Sequence, residues 1–229
     1  MIESVTVIGA RGRVGGAVSA RLKERGVDVR DTGGDLVILC VPDRAISDVA
    51  SEIEPGPWVA HVSGGTPLAA LEAHVRRFSM HPLQTFTHER GPEQLDGAWA
   101  AVSGETHDAV TTARRLAELL GLRPFVLDDD HRALYHAGAA IASNYLVTLR
   151  RVAGELLAAA DAPPEALDPL MRRVIENGFQ LTGPIERGDW ETVERHRAAI
   201  AAEHPDVLPA YDALAALTAR DTVSQGSRA

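Results

Sequence analysis

Short apolar runs alternate with amphipathic stretches over the first 128 residues of the chain. The runs are rich in β-branched residues, which is typical of buried parallel strands. They predict strands at 5–8, 27–30, 36–41, 58–62, 76–80, 99–103 and 124–127. The stretches between them predict helices at 14–25, 45–53, 67–74 and 108–120. This order indicates an α/β fold with a mostly parallel sheet.

The pattern after Asp128 is helical throughout. A long stretch from Asp130 to Ala160 is nearly free of charge after Arg132 and predicts a buried helix. Shorter helices are predicted at 165–180, 190–203 and 206–220. We therefore expect two domains, an α/β domain at 1–128 and an all-helical domain at 129–221, followed by a flexible tail at 222–229.

A glycine-rich turn follows the first predicted strand and precedes the first predicted helix. Such a turn lets the backbone approach a pyrophosphate, which the free N–H groups of the helix then bind. The alternative is a tight turn that binds nothing. The residues expected to bind a dinucleotide are Gly9, Ala10, Arg11, Gly12, Arg13, Val14 and Gly15, together with Val41 and Pro42 after the third strand.

The connection between the second and third strands is unusually short. Only five residues, 31–35, separate them, whereas a parallel crossover needs about a dozen. The helix and strand that normally wall the adenosine ribose are therefore missing. Asp31 either holds the ribose hydroxyls or is simply a turn residue. Arg11 and Arg13 could hold an additional phosphate, which slightly favours NADP over NAD.

His81 is the leading candidate for chemistry. It follows the predicted strand at 76–80, and Pro82 fixes the direction in which the chain leaves. A histidine at the carboxyl end of a strand, beside a nicotinamide, could move the proton that accompanies hydride transfer. The alternative is a loop histidine bonded to backbone.

Two further groups of polar residues invite either a functional or a structural interpretation. Ser63 and Gly64 could bind an anion through backbone N–H groups, or they could only form a turn. His136, Ala140 and Asn144 stand four apart and share one face of the long helix. His136 and Asn144 could orient a carbonyl or carboxylate, or could serve packing. The expected substrate contacts are Ser63, Gly64, Gln84 and Asn144.

Composition excludes several classes of partner. The net charge of −9 argues against nucleic acid or an anionic membrane. No apolar run reaches the ~18 residues of a membrane span, and the N-terminus leads directly into a strand, so we expect a cytoplasmic protein. Cys40, the single cysteine, lies in a buried strand. The nine histidines lack the spacing of metal ligands, so no metal site is expected.

Five segments resemble a known family. They read GARGRVG from Gly9, HVSG from His61, HPLQTF from His81, DHRALYHAGAAIASNYLVTL from Asp130 and LTGPIERGD from Leu181. The chain resembles the Rossmann-like oxidoreductases that carry a C-terminal domain of unknown function, within the 6-phosphogluconate dehydrogenase C-terminal-like superfamily. The resemblance implies an NAD(P)-binding domain, an all-helical second domain and a homodimer built on the helices. It names no substrate, and it leaves the role of the Thr182-Gly183-Pro184 loop open.

Related enzymes suggest roles for single residues. His81-Pro82 looks like the His-Pro of prephenate and arogenate dehydrogenases, whose histidine lies in the active site. Hydroxyacid dehydrogenases carry a lysine and an asparagine four apart on the long helix; here Asn144 matches, but Ala140 replaces the lysine. His136 is the nearest possible substitute. The chain is thus predicted to be an NAD(P)-dependent oxidoreductase of a small carboxylate-bearing metabolite, or a non-catalytic binding or regulatory protein on a degenerate Rossmann scaffold.

Overall fold

A seven-stranded sheet forms the centre of the first half of the chain, in the order β2-β1-β3-β4-β5-β6-β7. The computed structural model describes residues 2–226. All neighbouring strands are parallel except β5 and β6. The strands are β1 Ser4–Ile8, β2 Asp28–Arg30, β3 Leu36–Leu39, β4 Trp58–His61, β5 Arg77–Leu83, β6 Trp99–Ser103 and β7 Arg123–Val126. The predicted α/β class is confirmed.

The described residues form eight α-helices. After β7, no strand lies between the described helices. They are α1 Arg13–Glu24, α2 Ile46–Ser51, α3 His107–Leu119, α4 Arg132–Ala140, α5 Leu146–Ala159, α6 Leu167–Glu176, α7 Trp190–Glu203 and α8 Leu208–Gly226. A π-helical turn, Ile141–Tyr145, lies between α4 and α5. Two helices begin at side-chain caps. The side chain of Thr106 accepts a hydrogen bond from the N–H of Ala109 at the start of α3, and that of Asp189 accepts one from the N–H of Thr192 at the start of α7.

Apolar side chains cover the two faces of the sheet separately. On one face α1 and α3 pack against alternate residues of the central strands, including Val5, Ile38 and Phe78. On the other face α2 packs against Leu39 and Val59. This alternation explains why the strands are apolar almost without interruption, as a sheet covered on both sides requires.

The chain divides into two compact units, residues 1–143 and 144–229. The division falls within the long helical stretch, whereas the sequence pattern placed it between residues 128 and 129. Part of the predicted tail is helical, since α8 continues to Gly226. Residues 227–229 of that tail lie outside the described part of the chain.

Two predictions of local structure are wrong. The helix predicted at 67–74 is only a 3₁₀ turn at Leu68–Leu71. Strand β5 does not end before His81 but continues to Leu83, because its last residues pair with β6. Beyond Ser79, β5 has β6 as its only paired strand, so Pro82 is tolerated there although it lacks an N–H.

The long helical stretch is not buried in the single chain, contrary to the prediction. Arg132 is the only buried residue of α4, and Gly154 the only one of α5. Leu134, Ile141 and Val147 are among the most exposed large apolar residues. The low charge of this stretch therefore does not reflect packing within one chain.

The five residues between β2 and β3 cross directly over β1. Gly34 lies against the β1 backbone, and its N–H donates to Thr6 Oγ1 over 3.2 Å. Asp35 fixes the end of the crossing by accepting from the backbone N–H and the hydroxyl of Ser4 at 3.2 and 2.8 Å. The crossover is thus shorter than the dozen residues usually required, because no helix is built into it.

Gly34→Val should destabilise the protein by about 3 kcal/mol, the upper part of the range for overpacking. A Cβ at residue 34 would lie 2.6 Å from the backbone N of Thr6, and a backbone atom cannot move aside. The measurement is the free energy of unfolding in urea. Gly138→Ala is the control, because a Cβ there meets nothing within 4 Å in helix α4; it should leave stability unchanged or raise it. Equal stability of the two variants would contradict this description of the crossing.

Candidate active site

The glycine-rich turn has no room for side chains at its first and last glycines. Gly9 has a φ of +91°, and a Cβ there would lie 2.3 Å from the carbonyl oxygen of Cys40. A Cβ on Gly15 would lie 2.3 Å from the carbonyl oxygen of Gly9. The turn from β1 to α1 therefore exposes backbone that no side chain covers at these glycines. Gly12 is the N-cap of α1, and no side chain donates or accepts a hydrogen bond there.

This turn fits a dinucleotide pyrophosphate. The first N–H groups of α1 are not taken by a capping side chain, and the first turn of the helix has no acidic residue. Arg11 and Arg13 are exposed beside it. Val41 and Pro42 follow β3 at the same edge of the sheet. Of the remaining predicted contacts, Ala10 and Val14 lie within the turn and the first turn of α1.

The short crossover leaves a cavity of about 870 Å³ on the sheet. Ile8, Val37 and Ile53 line it with apolar side chains, and Asp31 and Glu54 add carboxylates. Asp31 is exposed at the end of β2. The missing ribose wall is thus replaced by open space with a carboxylate at its side.

His81 lies between a tyrosine and a glycine turn. Its Nδ1 is 2.7 Å from the hydroxyl of Tyr135, with which it shares a hydrogen bond. Its Nε2 faces Gly64, since a Cβ on that glycine would lie 2.8 Å from Nε2. The ring of His136 lies against the same Cβ position of Gly64, with its centroid 6.1 Å from that of His81. The predicted residues His81, His136 and Gly64 are therefore brought together.

The site holds its aromatic groups in their neutral forms. Burial lowers the pKa of His81 to about 4, and the neighbouring charges of His136 and Arg132 act in the same direction. Burial raises the pKa of Tyr135 to about 12. At neutral pH an uncharged imidazole therefore faces a protonated phenol, and the imidazole can accept a proton.

Ser63 organises the glycine turn instead of projecting a free hydroxyl. Its hydroxyl donates to the carboxylate of Asp43 over 2.8 Å and accepts from the N–H groups of Gly65 and Thr66. The backbone N–H of Ser63 donates to Nδ1 of His61 over 3.2 Å. The turn is thus fixed from both sides, which holds Gly64 against the two histidines.

Arg132 is a buried positioning residue that the sequence analysis missed. Only 2% of its surface is exposed. Its guanidinium donates to the carboxylate of Asp129, to the carbonyl of Ser63 and to the hydroxyls of Ser79 and Ser103. It therefore ties the turn after β4, the middle of β5 and the end of β6 to the start of α4. The signal was available in the sequence, since Arg132 is the last charged residue before the uncharged run that ends at Leu149.

Two other predicted residues are less closely tied to His81. The Gln84 side chain accepts from the N–H of Thr85 next to it, so it folds onto its own segment. Asn144 is an exposed residue of the second unit, and its carbonyl oxygen accepts from the hydroxyl of Thr148. In the loop near residue 182, Arg187 donates to the carbonyl of Thr182.

His61 should make the stability of the protein depend on pH. It is fully buried, and burial together with Arg132 lowers its pKa to about 4 from 6.5. Between these values the unfolded chain binds a proton that the folded protein does not. The stabilisation is therefore complete above pH 6.5 and is lost as the pH falls towards 4, by about 3 kcal/mol. His61→Gln should flatten the decline of unfolding free energy with falling pH.

The control for this prediction is His107→Gln, at an exposed position on α3. It should leave the slope of unfolding free energy against pH unchanged. The prediction fails if the two variants and the parent protein show the same slope between pH 6.5 and 4.

Within the described residues, no group of three or more histidine, cysteine, aspartate or glutamate side chains is arranged to hold a metal ion. Nor is any described helix long and apolar enough to span a membrane.

Comparison with known proteins gives a family and a fold. The profile of DUF2520, a domain of unknown function, matches residues 98–218. No curated protein sequence matches the chain significantly. The solved structure of protein TM1727 from Thermotoga maritima is similar, with a TM-score of 0.80 at 23% identity, covering 98% of this chain and 99% of that one.

Two further solved structures share the fold. A proposed NADP oxidoreductase from Bacteroides fragilis has a TM-score of 0.78 at 19% identity, covering 96% of this chain and 98% of that one. A semialdehyde dehydrogenase NAD-binding protein from Cupriavidus necator, solved with calcium and NAD, has a TM-score of 0.62 at 19% identity, covering 93% and 99%. At these identities the likeness shows a Rossmann-like fold and not an activity.

Proposed function

The chain belongs to the DUF2520 family, and we propose that it is an NAD(P)-dependent oxidoreductase acting on a small carboxylate-bearing metabolite. One observation carries the proposal. The neutral imidazole of His81, bonded to Tyr135, and the bare glycine turn both belong to the edge of the sheet formed by the carboxyl ends of the parallel strands. Ligands of open α/β sheets bind at that edge.

The chemistry at His81 is proton transfer. NAD(P), when bound, supplies the acceptor for the hydride that leaves the carbinol carbon of the substrate. As that C–H bond breaks, the O–H proton of the carbinol passes to the imidazole of His81 and a carbonyl forms. Tyr135 orients the imidazole through the hydrogen bond to Nδ1, which leaves Nε2 as the atom that accepts the proton. In the reverse direction the same Nε2 returns the proton to the carbonyl oxygen.

The neighbouring groups bind and orient. Gly9, Gly12 and Gly15 would seat the pyrophosphate at the start of α1. Ser63 and Gly64 would place the substrate against His81, with Ser63 acting through the turn that it organises. His136 would face the substrate from beside His81, since both rings lie against Gly64. For Asn144 the proposed role rests on the sequence resemblance alone.

The choice between NADP and NAD depends on two opposing features. Arg11 and Arg13 are exposed at the glycine turn and favour a cofactor with an additional phosphate. Asp31 favours the free ribose hydroxyls of NAD. We expect NADPH to bind more tightly than NADH, and Arg11→Gln with Arg13→Gln to reverse that order.

A non-catalytic binding protein is the second candidate. The observation that favours it is the five-residue crossing over β1, which removes the ribose wall, together with Ala140 where relatives carry lysine. Such a protein would bind a nucleotide or metabolite at the same edge without hydride transfer.

A homodimer built on the helices is part of the proposal. Six large apolar residues of the second unit are among those at least 40% exposed in the single chain: Leu146, Val147, Leu149, Leu170, Val174 and Phe179. Monomeric proteins seldom expose so many, so a second copy is the expected cover. Light scattering should give twice the mass of the chain, and Val147→Glu should lower it.

Dinucleotide binding tests the proposed function. In a thermal-shift experiment with NADPH, NADH and ADP-ribose, a ligand at 100 times its dissociation constant should add about 2.7 kcal/mol of stability. A clear shift with at least one of the dinucleotides supports the proposal. No shift with any of them at millimolar concentration would overturn it.

A further inference from the structure

A carboxylate that follows a different strand holds the glycine turn beside His81. Asp43 comes after Pro42, beyond the end of β3, and begins a short 3₁₀ turn. Its carboxylate accepts a hydrogen bond from the hydroxyl of Ser63 over 2.8 Å. Ser63 follows β4, and β3 and β4 are parallel neighbours, so the residues after them meet at the same edge of the sheet. Asp43 therefore reaches the candidate site from outside the segment that forms the turn.

The bond to Asp43 decides which way the Ser63 hydroxyl points. A serine hydroxyl has one proton to donate, and an ionised carboxylate can only accept, so the proton lies toward Asp43. The lone pairs of Ser63 Oγ then accept from the N–H groups of Gly65 and Thr66 at 3.2 and 2.9 Å. Without the carboxylate, the same proton could turn to the hydroxyl of Thr66, which is 2.9 Å away. Asp43 thus selects the arrangement in which the Ser63 oxygen holds the turn.

This turn lies directly against the imidazole of His81. Gly64 stands between Ser63 and Gly65, and a Cβ on it would lie 2.8 Å from Nε2 of His81. The same Cβ position is 2.8 Å from Cδ2 of His136. A displacement of the turn would therefore change the space in front of Nε2, the atom proposed to accept the proton. Asp43 acts on that space through the turn.

The charge of Asp43 also bears on His81. Burial, followed by the neighbouring charges of His136 and Arg132, lowers the pKa of His81 to about 4, whereas the charge of Asp43 acts to raise that pKa. Asp129 is the other carboxylate close by, but it is held by Arg132 over 2.7 Å. Within the described part of the chain, Asp43 forms no ion pair. Its negative charge is therefore not neutralised by a partner and favours a protonated imidazole.

We propose that Asp43 is a positioning residue of this site, which holds the Ser63 turn against His81 and supplies the negative charge that stabilises the imidazole once it has accepted a proton. In the proposed reaction that proton comes from the carbinol O–H as the hydride leaves, so His81 is a cation until it releases the proton. A cation beside Arg132 and His136 needs a carboxylate nearby, because unbalanced charge in a partly buried site is costly. The role of the charge in turnover rests on the proposed function, whereas the hold on the turn does not.

A role in its own short turn does not account for Asp43. An acidic residue at the start of a helix interacts favourably with the free N–H groups there. This 3₁₀ turn has only three residues, however, and no side chain forms a hydrogen bond at its cap. The bond from Ser63 joins residues 20 positions apart. Asp43 is also exposed, so it contributes little to the core. The candidate site explains its contacts better than the stability of the fold does.

NMR titration of the His81 ring tests the role of the charge. Asp43→Asn keeps an oxygen that can accept from Ser63 but removes the charge, and Asp43→Ala removes both. Each variant should lower the pKa of His81 by about half a pH unit, because a negative charge that favours the imidazolium is gone. Asp48→Asn is the matched control, at an exposed carboxylate on α2 that forms no ion pair within the described residues. It should leave the pKa of His81 unchanged.

Amide hydrogen exchange tests the hold on the turn. The N–H groups of Gly65 and Thr66 should exchange about tenfold faster in Asp43→Ala, because one hydrogen bond to a charged group is lost. In Asp43→Asn the two amides should exchange as in the parent protein, and a general loss of structure would not show this rescue. The urea midpoint of unfolding should stay close to that of the parent in both variants. Should Asp43→Ala fail to fold, Asp43→Asn alone decides, through the pKa of His81.

Each outcome has a definite meaning. An unchanged pKa of His81 in both variants overturns the inference, and so does unchanged exchange of Gly65 and Thr66 in a folded Asp43→Ala. Neither measurement needs a nucleotide or a substrate. If both effects appear but no dinucleotide binds, the role of Asp43 at His81 stands and the proposed oxidoreductase function fails. With a substrate that is turned over, Asp43→Asn should lower kcat about threefold, the factor that corresponds to half a pH unit, and should leave KM within about twofold. An unchanged kcat would contradict the role of the charge.

Discussion

His81→Gln is expected to lower kcat by a factor of about 10² to 10⁴, the usual contribution of a positioned acid–base group. Glutamine keeps a polar side chain of similar length but cannot accept a proton at neutral pH. The dissociation constant of the dinucleotide should remain within about twofold, because the glycine turn that seats it belongs to β1 and α1. Tyr135→Phe should cost less, about tenfold, since it removes the hydrogen bond to Nδ1 but leaves Nε2.

The control for His81 is His88→Gln, at an exposed position seven residues further along the chain. Its kcat and its dinucleotide affinity should match those of the parent protein. An equal loss of nucleotide binding and turnover in His81→Gln would mean that the histidine supports the fold and does not carry the proton.

Arg132→Leu is expected to destabilise the protein by about 3 kcal/mol or more. The arginine is almost fully buried and contacts four different segments. Its removal leaves the carbonyl of Ser63 and the hydroxyl of Ser79 buried without their donor. Because leucine supplies a similar apolar volume but no donor, the measured loss in unfolding free energy reports the missing hydrogen bonds.

Arg150→Leu provides the comparison, since it removes an ion pair with Asp168 at the surface. Exposed pairs contribute about 1 kcal/mol or less, so this variant should stay within that margin of the parent protein. If Arg132→Leu also stays within 1 kcal/mol, then Arg132 does not hold these segments together.

The bounds of several strands and helices can be predicted from the sequence, because they depend on hydrophobic patterns and caps within the same segment. Strand β6 and helix α7 have the predicted bounds, and Thr106 and Asp189 cap the helices that follow them. The length of β5 cannot be predicted in this way, because its extension past His81 depends on pairing with β6, a strand that comes later in the chain. Proline at residue 82 pointed to a strand end, but tertiary pairing overrides that tendency.

The chemical neighbours of His81 depend on contacts distant in sequence. Tyr135 lies 54 positions along the chain from the histidine that it contacts. Nothing in a single sequence states such a pairing. Gly64 lies against His81 and His136, where the two rings leave no room for a Cβ, and its role in binding stays a prediction.

The apolar helical stretch after Asp130 shows a second limit. Low charge indicates that a surface is kept from water, but not what covers it. Leu134, Ile141 and Val147 remain exposed within one chain, so the pattern does not mark an internal core, and the proposed homodimer is the cover that we expect. Sequence periodicity alone does not separate these two cases.

Hydride transfer itself is the most direct test of the central claim. The protein would be mixed with oxidised NADP or NAD and a panel of carbinol acids with aliphatic, cyclic and aromatic bodies, and the formation of reduced nicotinamide would be followed by absorbance. We predict turnover with at least one acid of the panel, and its loss in His81→Gln. Tight dinucleotide binding with no reduction by any acid of the panel would contradict the oxidoreductase and support a non-catalytic binding protein.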